Sequence, residues 1–163
     1  MLTNQNLAVN RAVDAVKIKD ILMDKIKILF VCIHNSARSQ MAEAFVNTYY
    51  SDKFTAESAG LEPGTLNPLV VKSMAETGID ISKNSTKDVF DFVKEGKFFN
   101  YVITVCDEAS GQRCPIFPGA MKRINWSFED PSALTGTDEE KLTKIASIRD
   151  SIKATVDEIL KTL

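Results

Sequence analysis

The feature that most constrains this chain is the segment Ile26 to Ile33, IKILFVCI, an almost unbroken apolar run of strand length. A nearly continuous apolar run suits a strand covered on both faces, as in a parallel sheet between layers of helices. The pattern that follows agrees. Ser39 to Tyr50 carries Met41, Ala42, Ala44, Phe45 and Val46 at helical spacing, and Phe54 to Ser58 forms a second strand closed by Ala59-Gly60. Pro68 to Thr77 predicts a helix that stops at Gly78, and Asp88 to Lys94 a shorter one. Phe99 to Cys106, FNYVITVC, is the richest β-branched run, and Met121 to Phe128 predicts a fourth strand. Leu142, Ile145, Ile148, Ile152, Val156 and Ile159 recur every three or four residues through a long final helix, Asp138 to Leu160. Strands alternating with helices define an α/β fold with a mostly parallel sheet.

Length and composition narrow the function classes. The 163 residues suit a single domain. Twenty basic and 22 acidic side chains leave a formal charge of −2, so no global basic field exists to hold nucleic acid or an anionic membrane. No apolar stretch is long enough to span a bilayer. Residues 1–25 read as an extension, with Val9, Val13, Val16 and Leu22 fitting a short amphipathic helix, and charges interrupt it too often for a secretory signal. The expectation is a cytoplasmic, monomeric protein whose domain runs from 26 to 163.

The chemistry concentrates in the loop after the first strand, Cys32-Ile33-His34-Asn35-Ser36-Ala37-Arg38-Ser39. A tight loop entering a helix N-terminus turns backbone N–H groups inward and makes an anion cradle. Arg38 adds a planar fork that holds two oxygens of a tetrahedral oxyanion. A cysteine at the base of such a cradle is favoured as thiolate, because the same donors stabilise its charge. Ser39 is placed to donate to that sulfur, and Asn35 to hold the loop through its side chain. A buried, inert cysteine beside an unrelated arginine is the competing interpretation.

The chain has three cysteines and one histidine. Cys106 ends the third strand, at the carboxyl edge where α/β sheets gather ligands, and Cys114 follows shortly after. From spacing alone these two serve equally as structural thiols or as a redox pair. A zinc site is disfavoured, because no closely spaced cysteine pair is present. Asp130, before Pro131 and after the fourth strand, is the candidate general acid; Glu129 is its rival.

VCIHNSARSQMAEAF resembles the active-site segment of the low-molecular-weight protein tyrosine phosphatase fold, and more narrowly the thioredoxin-coupled arsenate reductases built on it. Ser39-Gln40-Met41-Ala42-Glu43 is the reductase form; the phosphatases usually have proline after the serine. The likeness continues through Glu57-Ser58-Ala59-Gly60, Gly78 to Ser82, Val102 to Cys106 and Trp126 to Pro131. It implies a single-domain three-layer sandwich with a four-stranded parallel sheet in flavodoxin-type order.

The resemblance also implies a mechanism. Cys32 attacks arsenate held by residues 32–38, including Ile33, His34, Ser36 and Ala37, and Asp130 protonates the departing oxygen. Cys106 then attacks Cys32, and Cys114 moves the disulfide to a Cys106–Cys114 pair that thioredoxin or a similar dithiol reduces. Phosphate and sulfate are expected as substrate analogues, with no organic cofactor and no required metal. Some relatives bind potassium through residues equivalent to Asn35, Glu43 and Ser58 plus an aspartate. Here Lys87, with Asp88 adjacent, stands at the aspartate position, and its ammonium would make potassium dispensable. Two alternatives stand beside this: a phosphatase using only Cys32, Arg38 and Asp130, and a non-enzymatic oxyanion-binding module. Ser132-Ala133, where tyrosine phosphatases usually carry an aromatic, weighs against a phosphotyrosine substrate.

Overall fold

The apolar runs become the four strands of one parallel sheet. In the computed structural model, residues 24–107 and 116–163 are described; the expected N-terminal helix through Val9, Val13, Val16 and Leu22, and Cys114, lie outside them. The strands are β1 (Ile26–Cys32), β2 (Phe54–Gly60), β3 (Phe99–Cys106) and β4 (Ala120–Ser127), in the spatial order β2-β1-β3-β4. This is the expected flavodoxin-type order, and β1 at its centre is the strand that reads as apolar on both faces. Ile28, Leu29, Phe30 and Val31 are completely buried.

The helices are α1 (Arg38–Tyr49), α2 (Pro68–Ala75), α3 (Val89–Lys94) and α4 (Asp138–Leu160). Alternate β1 side chains feed two separate cores, as the two-residue period of a strand requires. Ile28, Phe30 and Cys32 join Met41 and Phe45 of α1, Val70 and Met74 of α2, and Ile145, Ile152 and Val156 of α4. Leu29 and Val31 join Val89 and Phe92 of α3 on the other face. The result is three layers.

Side-chain caps set the helix starts. Asn67 and Asp88 accept from the backbone N–H of Leu69 and Phe90, opening α2 and α3. Thr137 and Glu140 form a reciprocal capping box at α4. The outer edge of β2 is met by Asn47 of α1, whose amide donates to the Ala56 carbonyl and accepts from its N–H, both at 2.9 Å. A side chain thus takes the place of a fifth strand at that position. Arg149, nearly buried in α4, donates to the Ser73 carbonyl at 2.8 Å and pairs with Glu76 at 3.2 Å, fastening α4 to α2.

Among the described residues, no helix is long and apolar enough to cross a membrane.

Candidate active site

The loop between β1 and α1 is shaped by what its carbonyls bond to. The carbonyls of Cys32, Ile33, His34 and Ser36 accept from the N–H groups of Leu61, Glu62, Gly64 and Asn67, at 2.8–3.1 Å. A trans peptide points the next N–H away from its carbonyl. The N–H groups of Ile33, His34, Asn35 and Ala37 therefore face the opposite, inner side. Asn35 adopts φ 52°, the left-handed region that asparagine tolerates better than most residues. Its N–H reaches Cys32 Sγ at 3.0 Å. Ala37, the residue before α1, offers no side-chain cap, and α1 has no acid in its first turn, so the positive end of the helix is left to the loop.

Gly60, at the end of β2, makes the close approach possible. A Cβ there would lie 2.8 Å from the Ile33 carbonyl oxygen and 2.9 Å from the Asn35 nitrogen. The sequence contains Gly60 within a recognisable motif, but its job as the floor under the loop depends on a neighbouring strand and is not visible in the local pattern.

Cys32 is buried, and two groups face its sulfur: the Asn35 N–H, and Ser39 Oγ at 2.9 Å. The Asn35 side chain holds more than its own loop. Its Nδ2 donates to Ser39 Oγ at 2.8 Å, and its Oδ1 accepts from the Lys87 backbone N–H at 2.9 Å and from Gln40 Nε2 at 3.1 Å. Gln40, which carries no role in the sequence reading beyond its place in a signature, is fully buried in this network. His34 is exposed, on the outer rim, with Nδ1 3.0 Å from the Glu62 carbonyl oxygen.

Across the mouth of the loop, Arg38 is paired with Asp130 at 3.0 Å and donates to the Phe128 carbonyl at 3.0 Å. Asp130 opens a short 3-10 turn, Pro131–Ala133, and its other oxygen accepts from the Ser132 N–H and hydroxyl at 2.9 and 2.8 Å. Glu129, its rival, is exposed to solvent. The structure therefore brings together Cys32, Asn35, Arg38, Ser39 and Asp130.

Cys106 stands at the same sheet edge, on the strand adjoining β1, and is a fully buried thiol. The register adds a detail that strand position alone conceals. Val31 pairs with Thr104, so Cys32 lies level with Val105, and Cys32, Val105 and Trp126 share one core. Cys106, one residue further, points to the other face of the sheet. Its backbone is paired with Ser127 of β4.

Beside Asn35, Ser58 donates a short hydrogen bond to Glu43, and Lys87 Nζ lies 3.5 Å from the same carboxylate oxygen. Burial pushes the Glu43 carboxyl up, against the opposing pull of Ser58 and the Lys87 charge. Among the described residues, no group of three or more His, Cys, Asp or Glu side chains is arranged to hold a metal ion.

Known proteins resemble this chain in sequence and fold. The model of the low molecular weight phosphotyrosine protein phosphatase family matches residues 27–163. The arsenate reductase of Shouchella clausii is 42% identical over 142 residues, covering 86% of this chain and 99% of that protein. An arsenate reductase solved in its phosphate-binding state superposes with a TM-score of 0.70 at 29% identity, covering 84% of this chain and 98% of that one. The thioredoxin-dependent arsenate reductase of Corynebacterium glutamicum gives 0.54 at 28% identity, over 82% of this chain and 62% of that one. The chain therefore belongs to the low molecular weight phosphotyrosine protein phosphatase family, among its arsenate reductases.

Proposed function

We propose that this chain reduces arsenate to arsenite, using Cys32 as nucleophile and Cys106 and Cys114 as a disulfide relay discharged by a thioredoxin-type dithiol. The observation that carries this reading is the pair of thiols on neighbouring strands at one sheet edge, one of them seated under an oxyanion cradle.

Arsenate enters with its oxygens on the inward N–H groups and on Arg38, which exchanges part of its pairing with Asp130 for the substrate. The Cys32 thiolate attacks arsenic, and Asp130 delivers a proton to the oxygen that leaves as water. The Cys106 thiolate attacks Cys32 Sγ. The sulfur–arsenic bond breaks with its electron pair on arsenic, so arsenic goes from the +5 to the +3 state while two thiols become a disulfide. Cys114 then attacks Cys106, restores the Cys32 thiolate and leaves a Cys106–Cys114 disulfide for an external dithiol to reduce. Because Cys106 faces away from Cys32, its strand end must release Ser127 and turn before the second step.

Lys87 stands in for the potassium ion that some relatives bind beside Asn35, Glu43 and Ser58. Its ammonium already supplies a positive charge to Glu43, so potassium is dispensable here. Cys32, Arg38 and Asp130 by themselves also suffice for a phosphomonoester, and slow aryl phosphate hydrolysis is a side activity of the same site.

The test is a thiol count. One equivalent of arsenate added to reduced protein consumes two thiols, and turnover proceeds with thioredoxin and its reductase. Cys106→Ser abolishes both while phosphate still binds. Undiminished arsenite production by Cys106→Ser, or no thiol loss in the unaltered protein, sinks the relay.

A further inference from the structure

We infer that Gln40 is a positioning residue that, together with the Lys87 backbone N–H, holds the direction of the hydrogen bonds ending on Cys32, so that the Ser39 proton is aimed at the sulfur. This rests on the reading of Cys32 as nucleophile and deepens it.

Side-chain amides can be turned over without changing their shape, so their direction must be anchored by groups that cannot turn. The chain ending on Cys32 has such anchors. Gln40 Nε2 lies 3.0 Å from the Ser85 carbonyl, which only accepts. That end of Gln40 is therefore the NH₂ group, and its oxygen accepts from Asn84 Nδ2 at 3.1 Å. The second Nε2 hydrogen goes to Asn35 Oδ1. The same oxygen accepts from the Lys87 backbone N–H, which only donates. With Asn35 Oδ1 held from two sides, its Nδ2 must face Ser39, and it donates to Ser39 Oγ. The Ser39 hydroxyl has one proton, and with its oxygen already accepting from Asn35, that proton is directed to Cys32 Sγ.

The Gln40 side chain bonds to Asn35, Asn84 and Ser85 and not to the sulfur. Its effect passes through Asn35 and Ser39. The loop carbonyls are held independently by residues 61–67, so anion binding and sulfur activation separate: loss of Gln40 slows the thiolate and spares the cradle. The charged groups around the loop stay constant in Gln40→Met and Ser39→Ala: Arg38 and Asp130 at its mouth, Lys87 and Glu43 beside Asn35, and His34 on its rim.

The experiment is a double-mutant cycle in a Cys106→Ser, Cys114→Ser background, where only Cys32 reacts with iodoacetamide. Phosphate affinity is measured in parallel by calorimetry. Gln40→Met is expected to slow Cys32 alkylation at neutral pH by about tenfold, with phosphate affinity changed less than twofold. Ser39→Ala is expected to slow it similarly, and the double variant no further than Ser39→Ala alone. Additive effects, or an unchanged rate in Gln40→Met, overturn the inference. Parallel loss of phosphate affinity overturns it too, because that marks a general collapse of the loop. If Gln40→Met does not fold, Gln40→Glu decides. It keeps an acceptor for Asn84 and sets a second acceptor against Asn35 Oδ1, and an unchanged alkylation rate there overturns the inference as well. Alkylation of Cys32 in the parent no faster than that of a free cysteine overturns the nucleophile reading itself, a different result from a reactive parent indifferent to Gln40.

Discussion

Replacing Gly60 by alanine tests the idea that the oxyanion cradle is held from below by β2. The added Cβ would lie 2.8 Å from the Ile33 oxygen, 2.9 Å from the Asn35 nitrogen and 3.0 Å from the His34 carbonyl carbon. All three are backbone atoms of the loop, so no flexible side chain can swing aside. Relief requires the loop to move by several tenths of an ångström, and four carbonyl hydrogen bonds to residues 61–67 resist that movement. Overpacking of this kind costs about 1–3 kcal/mol. At about 2 kcal/mol, a chain of this size loses about 4–8 °C in melting temperature. The functional loss should be larger, since displacing catalytic groups by about 1 Å can cost about 100-fold in rate. Gly64→Ala is the control, because the nearest atom to its Cβ is the His34 Cβ at an ordinary 3.5 Å. Thermal unfolding and phosphate calorimetry on both variants give the answer. Gly60→Ala is expected to melt lower and bind phosphate at least tenfold more weakly, with Gly64→Ala close to the parent in both. A Gly60→Ala protein that binds phosphate normally would refute the reasoning, whatever its melting temperature.

Three further outcomes follow from the site and its surroundings. Asp130→Asn removes the proposed proton donor and the carboxylate paired with Arg38, so single-turnover arsenate-dependent thiol loss should slow by about 10²–10⁴-fold; a change below threefold assigns the proton to another group. Activity and melting temperature should be the same in potassium and choline chloride at equal ionic strength. Lys87→Met, which removes the ammonium beside Glu43, should melt lower and recover partly in potassium alone; a parent protein that itself needs potassium contradicts the substitution of ammonium for metal ion. The Tyr50 hydroxyl donates to Asp157 at 2.6 Å, and this bond pushes its pKa up to about 12. Because the folded state keeps the proton longer than the unfolded chain does, this contribution to stability is complete below about pH 10 and fades as pH rises towards 12. Tyr50→Phe should delete the phenolate absorbance step near pH 12, and a deleted step near pH 10 contradicts the hydrogen bond.

Much of this architecture is legible in the sequence, for a physical reason. IKILFVCI is apolar at every position but Lys27, near its exposed start, because β1 is central and covered twice. The spacing of Ile145, Ile148, Ile152 and Val156 marks α4 because one face of that helix is buried. Cys32, Arg38 and Ser39 are close in sequence as well as in space, so their loop is also readable. The parts that escape depend on juxtaposition. Gly60 and the 61–67 segment reach the loop only through the pairing of β2 with β1. Gln40 meets Asn84 and Ser85 across 44 and 45 residues. Strand position brings Cys106 to the right sheet edge, yet only the register shows that its thiol faces away from Cys32.

A cradle assembled from main-chain N–H groups, with its carbonyls tied to a neighbouring segment, has a consequence for how this site tolerates change. Ile33 and His34 contribute inward peptide N–H groups to the proposed anion site whatever their side chains are, so those two partly or fully exposed positions are free to drift in polarity and bulk wherever the backbone path survives, whereas Ala37, buried in the core, is not. Variation is confined instead at positions that shape that path, above all Gly60 from the neighbouring strand and Asn35 within the loop, with its positive φ. The substitutions most damaging to substrate binding thus include one on a different strand, with no polar side-chain atom of its own.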